Sequence, residues 1–344
     1  MVAIIAALAL NVASAAVDRL MQPYAGDVPG AAVIVIRNGG VALRRTYGLA
    51  DVEKHAAVTS KTNFRLASVT KQFTAASIEI LAERGKLSYD DPIGRFLPSL
   101  PAYARAVTIR QLLTHTGGLP DYEDLIPQTA TKQVSDTDVL RLIEQTDHPY
   151  FAPGASYRYS NTGYVLLGII VAKVSGETFP QFLKEAIFDP LKMRGTIAHV
   201  EGVSTVANRA YGYALENGRF VRRDQSITSA TLGDGGIYTS IDDLVKWDQA
   251  LEHATLVKPE TIRLAFTPAT ATDDPAIRYG FGWRISDHDG HRTIWHSGET
   301  VSFRNVIVRF PDDRLTVIVL TNRDDPEPYK TALAIANLWL ETRR

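Results

Sequence analysis

"FRLASVTKQFTA", residues 64–75, is the stretch on which the rest of the chain turns. Val69 and Phe73 lie four apart, and Ala76 and Ile80 continue a helical spacing until Gly85 closes it. The spacing therefore predicts a helix whose first turn carries Ser68. Positions i and i+3 share a helix face, so Lys71 presents its amine beside the Ser68 hydroxyl. A serine hydroxyl is a poor nucleophile until a neighbour takes its proton, and a helix N-terminus favours the developing alkoxide. Ser68 is the only serine with lysine three residues on. Alone, the pair also fits two ordinary residues on a surface turn.

Working outward, the period of the pattern changes. "AAVIVIRNGGVALRRTYGLAD" is an alternating, β-branched run broken by Asn38-Gly39, which predicts a β-hairpin. "YGFGWRISDHDGHRTIWHSG" predicts a second hairpin around Asp289-Gly290, and "VSFRNVIVRFPDDRLTVIVLTN" a third turning at Pro311 to Asp313. Tyr329 to Thr342 reads as a closing helix. Between these ends lie helical patterns: "TIRQLLTHTGGLP", stopped by Gly117-Gly118, then "TDVLRLIEQT", the run 164–174, and "TSIDDLVKWDQAL", where Ser240 and Asp243 have capping-box spacing. The expected fold is α+β: an antiparallel sheet flanked by helices, plus an inserted, mostly helical domain. Residues 17–67 and 275–344 would form the discontinuous α/β domain and 68–274 the helical one, with the site at their junction.

Composition narrows the function. Thirty-seven basic and 38 acidic residues nearly cancel, and no stretch gathers Lys and Arg into a stripe, so nucleic acid is not an expected partner. The absence of cysteine excludes disulfides, thiolate metal sites and a cysteine nucleophile. "MVAIIAALALNVASAAVD" has an apolar run, Val2 to Leu10, before Ala13-Ser14-Ala15, a small-x-small pattern that makes residues 1–16 an expected export signal despite the missing positive n-region. A buried N-terminal helix is the alternative. The expected location is periplasmic or secreted. No apolar stretch is long enough to anchor the chain in a membrane.

Two further stretches carry chemistry. Tyr159-Ser160-Asn161 is the only Tyr-x-Asn among 14 tyrosines and precedes a helical run. A phenol near an ammonium loses its proton more readily. His296-Ser297-Gly298 ends a predicted strand, where Gly298 would let a substrate backbone approach. In order, Ser-x-x-Lys, Tyr-x-Asn and basic residue-x-Gly match penicillin-recognising serine enzymes.

On these motifs, with "GKLSYDDPIGRFLP", "TIRQLLTHTGGLPDY", "YSNTGYVLLG" and "YGFGW", the chain resembles the serine β-lactamase-related superfamily from about residue 28 to residue 325. The resemblance is to the branch of class C β-lactamases, D-alanyl-D-alanine carboxypeptidases, D-aminopeptidases and family VIII carboxylesterases. It implies a β-lactamase/transpeptidase-like fold with Ser68 as acylated nucleophile and Lys71 and Tyr159 sharing acid and base work. Asn161 would hold Lys71 and the acyl side chain, and the N–H groups of Ser68 and Glu299 would form the oxyanion hole. His296, Ser297 and Gly298 would line the substrate cleft, as would Tyr122 of "GGLPDY". His296 replaces the lysine typical of β-lactamases, and Ser302-Phe303 stands where Gly-Phe often follows.

The implied function is hydrolysis of esters or D-amino-acid peptides through an acyl-enzyme, with possible β-lactam hydrolysis and no cofactor or metal. The alternatives are a class C-type β-lactamase proper or a receptor that is acylated by β-lactam and stays so. His296 is expected to set the balance between carboxylate-bearing and neutral substrates, with a preference that tracks imidazole titration near ~6.5. His115 in "THTGG" is expected to be a structural loop residue bonded to backbone, and "DHDGH", 287–291, a solvated hairpin rather than a metal site. Without a Gly-x-Ser-x-Gly, the α/β-hydrolase alternative has no nucleophile elbow.

Overall fold

The structure is a computed structural model that describes residues 12–341. Its centre is an eight-stranded antiparallel sheet in the order Thr270–Ala271, Arg278–Tyr279, Arg284–His288, His291–Thr300, Phe303–Phe310, Leu315–Thr321, Ala31–Arg37, Gly40–Tyr47. The three hairpins form where their turn residues allow. Asn38, Gly39, Asp289, Gly290 and Arg314 all hold positive φ at the tips. The two ends of the chain meet mid-sheet, Ile34 opposite Ile318.

Both faces of this sheet are covered. Ala32, Ile34, Ile36, Ile307, Ile318 and Leu320 point into one core, while Ala31, Val33, Val35, Val306, Val308, Val317 and Val319 point into another. The period of two along each strand divides the residues this way. The first core is closed by the helices of the intervening chain. The second is closed by residues 12–20, which are helical, and by the helix Pro328–Ala336.

The middle of the chain carries more strand than its helical reading anticipates. Phe64–Arg65, Ile237–Thr239 and Ile197–Ala198 make a small sheet, and Tyr213–Glu216 pairs with Arg219–Arg222 in a hairpin. That hairpin turns at Asn217-Gly218, both at positive φ, the same dipeptide signal as at Asn38-Gly39. Helices are also shorter than predicted. Ile109–Leu113, with Thr108 and Gln111 in a capping box, ends ahead of Gly117-Gly118, and the last helix stops at Ala336.

The apolar run Val2 to Leu10 lies outside the described residues. Ala13-Ser14-Ala15, expected to mark a cleavage point, sits within the 12–20 helix, where Val17 is buried, as is Met21 just beyond it, and Asp18 accepts a 2.6 Å hydrogen bond from Tyr47. Among the described residues no single helix is long and apolar enough to cross a membrane.

One core group ties stability to pH. Glu79, on the helix Lys71–Glu83, is buried, and burial with a smaller push from Glu83 raises its carboxyl to about 8. The unfolded chain releases this proton near ~4.3, so in between the native state binds more protons. Its contribution is therefore full below the unfolded value and is lost as pH rises towards 8. Relative to Glu79→Gln, the wild type is expected to lose about 1.4 kcal/mol per pH unit between about pH 5 and pH 8. Urea unfolding of both proteins across that range measures it; parallel curves would refute it.

Candidate active site

Three segments converge at the edge of the large sheet. The first is the 3₁₀ turn Ala67–Thr70, which leads directly into Lys71–Glu83 and so keeps Ser68 and Lys71 on one face. Ala67 holds φ +50, a left-handed conformation that costs a non-glycine residue about 1–3 kcal/mol. This strained residue immediately precedes Ser68, which is half-buried.

Lys71 has no accessible surface, yet all its donors are used. Its Nζ donates to Ser68 Oγ at 3.0 Å, to Asn161 Oδ1 at 2.7 Å and to the Asp234 carbonyl oxygen at 3.1 Å. Three acceptors match the three N–H of an ammonium. Asp234 is a residue the sequence reading missed; it belongs to "TLGDGG", whose glycines flag tight packing before the strand Ile237–Thr239.

The second segment brings Tyr159 and Asn161. Asn161 begins the helix Asn161–Ser175, and its backbone N–H donates to Asp121 Oδ2 at 2.6 Å, so an acid from another loop serves the helix start. The Asn161 amide is engaged at both ends, its Nδ2 donating to Glu123 Oε1 at 2.9 Å. Burial raises the Glu123 carboxyl, with Asp121 adding to it. The Tyr159 ring lies 4.9 Å from Lys71 Nζ and 4.3 Å from the His115 ring. His115 is buried at φ +58, and its Nδ1 accepts from the Ser160 N–H at 3.1 Å, a backbone role as expected. Burial, then Lys71, His296 and Arg284, holds its imidazole well below the usual histidine value, hence neutral.

The third segment is the end of the strand His291–Thr300. Up to Trp295 it pairs on both sides; beyond that, one edge has no strand partner. That edge meets the Ser68 turn. A Cβ on Gly298 would overlap the Leu66 carbonyl oxygen. The glycine therefore serves the approach of the protein's own backbone, not that of a substrate as first expected. Asn305 Nδ2 adds a 2.8 Å bond to the Arg65 carbonyl. The "YGFGW" loop seats itself the same way: Gly282, at φ +77, packs against the Lys71 carbonyl.

His296 differs from its expected role. It is 1% exposed, with Nδ1 2.6 Å from the Ser297 carbonyl and Nε2 2.8 Å from the Tyr279 hydroxyl. A carbonyl only accepts, so Nδ1 carries the proton and Nε2 accepts from Tyr279. Burial, followed by Arg284 and Lys71, holds the imidazole well below its ordinary value. His296 is thus neutral, and both its nitrogens are occupied. The ratio of kcat/KM for a carboxylate-bearing substrate to that for a neutral ester is therefore expected to stay flat from about pH 5.5 to about pH 8.5. A ratio that climbs as pH falls through ~6.5 would contradict this placement.

Tyr122 also lies deeper than expected. It borders the cleft with no accessible surface, and its hydroxyl donates to Asp234 Oδ2 at 3.0 Å. The open cleft is bounded by Ser68, Glu123, Asn161, Thr228, Gly235 and Glu299. Glu299 is exposed and pairs with Arg304 at 2.9 Å; Ser297 is half-buried. Ser302 and Phe303 are both buried, with Phe303 against Tyr238. In "DHDGH" the histidines are spent on hydrogen bonds: His288 on Asn337, His291 on Asp313 and the Glu341 carbonyl.

The beta-lactamase family model matches residues 15–338 of this chain. Penicillin-binding protein 4* of Bacillus subtilis (strain 168) is 32% identical over 88% of this chain and 70% of its own length. Protein flp of Staphylococcus aureus (strain MW2) is 28% identical over 86% of this chain, which spans 60% of that protein. Among solved structures, the octameric penicillin-binding protein homologue from Pyrococcus abyssi superposes with a TM-score of 0.84 at 28% identity, covering 95% of this chain and 77% of its own.

Proposed function

We propose that this chain, which belongs to the beta-lactamase family, cleaves D-amino-acid peptides and esters by acyl transfer through Ser68. It is a serine hydrolase with the β-lactamase/transpeptidase-like fold. The observation that carries the reading of its site is the buried Lys71 ammonium, 3.0 Å from Ser68 Oγ and held there by Asn161 and Asp234. On this reading Tyr159, beside the Lys71 ammonium, has given up its phenol proton, and Ser68 Oγ attacks the carbonyl carbon while its own proton passes to the Tyr159 oxygen. The N–H groups of Ser68 and Glu299 hold the oxyanion. Collapse breaks the C–N or C–O bond, and Tyr159 hands the proton to the leaving group. Water then attacks the acyl-enzyme, giving one proton to the same oxygen, which returns it to Ser68 as the acid departs.

Peptides and esters are favoured over β-lactams because the strand position that carries a lysine in β-lactamases holds the neutral, buried His296. Rates on a short p-nitrophenyl ester, a D-alanyl peptide and nitrocefin, measured on one preparation, test this. Fastest turnover of nitrocefin would replace it with a β-lactamase. The likeness to penicillin-binding protein 4* supports a second reading, a receptor that is acylated and stays so. A product burst equal to the enzyme, with no turnover after it, would identify that receptor.

A further inference from the structure

His115, in the loop after the helix Ile109–Leu113, grips the segment that carries Tyr159 from both sides. Its backbone carbonyl accepts from the Arg158 N–H at 3.0 Å, and its ring Nδ1 accepts from the Ser160 N–H at 3.1 Å. The imidazole lies 4.3 Å from the Tyr159 ring, tilted by 35°. The residues before and after Tyr159 are thus bonded to one residue, and the phenol ring between them rests on the same side chain. His115 does this at φ +58, a left-handed conformation uncommon outside glycine. Glycine would take that conformation without strain but offers neither acceptor nor ring. With Nδ1 accepting, the imidazole proton sits on Nε2, which is buried without a partner among the described residues. The hydrogen bond the ring does make is the one to the Tyr159 segment.

A phenol that takes a proton from one oxygen and hands it to another must stand within hydrogen-bond reach of both, and a displacement of about 1 Å in such a group can cost about 10²-fold. The next fixed point along the chain, the Asn161 N–H, is held by Asp121 and not by His115. We propose that His115 is a positioning residue for the acyl transfer: its carbonyl and its Nδ1 fix the backbone on either side of Tyr159 and so set where the phenol oxygen stands between Ser68 and the leaving group. This inference rests on the acyl-transfer reading, in which Tyr159 moves the protons, and adds to it the residue that aims the phenol. Nδ1 can accept only while the imidazole is neutral, and burial, with Lys71, His296 and Arg284 around it, keeps it so.

The test measures kcat and KM on p-nitrophenyl acetate for wild type, His115→Asn, His115→Gln, Tyr159→Phe and the double variant His115→Gln/Tyr159→Phe. The final extent of fluorophosphonate labelling, read by intact mass, gives the folded fraction of each preparation. Asparagine places its Oδ1 where Nδ1 stands and tolerates the left-handed backbone, so kcat is expected to stay within about threefold of wild type. Glutamine carries its amide one bond further out and is expected to lose about 10- to 10²-fold in kcat, with KM changed less than about twofold. On the Tyr159→Phe background the same glutamine substitution is expected to cost less than about twofold more, because a residue that acts through the phenol has nothing left to act on. Equal losses in the two amide variants, or a glutamine loss that multiplies undiminished onto Tyr159→Phe, overturns the proposal. Where the glutamine variant fails to fold, asparagine decides: kcat within about threefold upholds the proposal, and a larger loss at full labelling overturns it. A loss below about fivefold in Tyr159→Phe itself would instead overturn the proton-transfer reading beneath, and the proposal with it.

Discussion

Replacing Ser68 with alanine is expected to cut ester and peptide hydrolysis by about 10⁶ in kcat, the scale seen when an acyl-enzyme nucleophile is removed. Covalent labelling by fluorophosphonate or penicillin should vanish with it. The substitution leaves the Ala67–Thr70 turn in place and removes one acceptor of the Lys71 ammonium, whose bonds to Asn161 and Asp234 remain. The loss in stability should be about 1–3 kcal/mol, the cost of leaving one donor of a buried group without its acceptor, so the fold persists. Intact-mass spectrometry after incubation with the probe reads the result directly. Labelling of the alanine variant at the wild-type rate would place the nucleophile elsewhere.

Tyr159→Phe should produce the second largest loss, about 10²–10⁴ in kcat, the range of a general acid–base group. The change is selective for chemistry. Phenylalanine keeps the ring that packs 4.3 Å from His115 and 4.9 Å from Lys71 Nζ, and deletes only the hydroxyl. KM should therefore move little. Stopped-flow measurement of the acylation burst separates the two proton transfers: a variant that acylates slowly has lost the base, and one that stalls as acyl-enzyme has lost the activation of water. A loss below about fivefold would mean that Lys71 manages both transfers alone or through water.

Much of this site lay open in the sequence because it depends on local spacing. Ser68 and Lys71 meet because three residues along a helical turn return to the same face, and that holds whether the turn is 3₁₀ or α. Tyr159 and Asn161 reach the same point because they flank a helix start, Asn161 being the first residue of that helix. The hairpin at Asp289-Gly290 puts His296 on the strand beside them. The hairpin at Asn217-Gly218 carries the same local signal, but its strands are short and only alternately covered, so no long run of sequence marks them.

The order of charged partners was not legible. Lys71 is oriented by the carbonyl of Asp234, 163 residues away, and no side-chain pattern reports a backbone acceptor. Gly298 reads as room for a substrate until Leu66 is seen to occupy that room.

The sequence alone thus determined which serine, amine and phenol stand together and the sheet that the chain's two ends build, since each follows from periodicities of two and of three to four residues. Tertiary structure alone decided how the basic groups around the site are partnered. On the strand, His296 is a candidate cation by residue type; folded, burial strips its charge and Tyr279 and Ser297 take its nitrogens. Arg284 carries no motif, yet it emerges over the Tyr159 ring with its charge unpaired among the described residues. Whether a side chain keeps its charge is set by desolvation and by distant neighbours, quantities that exist only once the chain has closed around them.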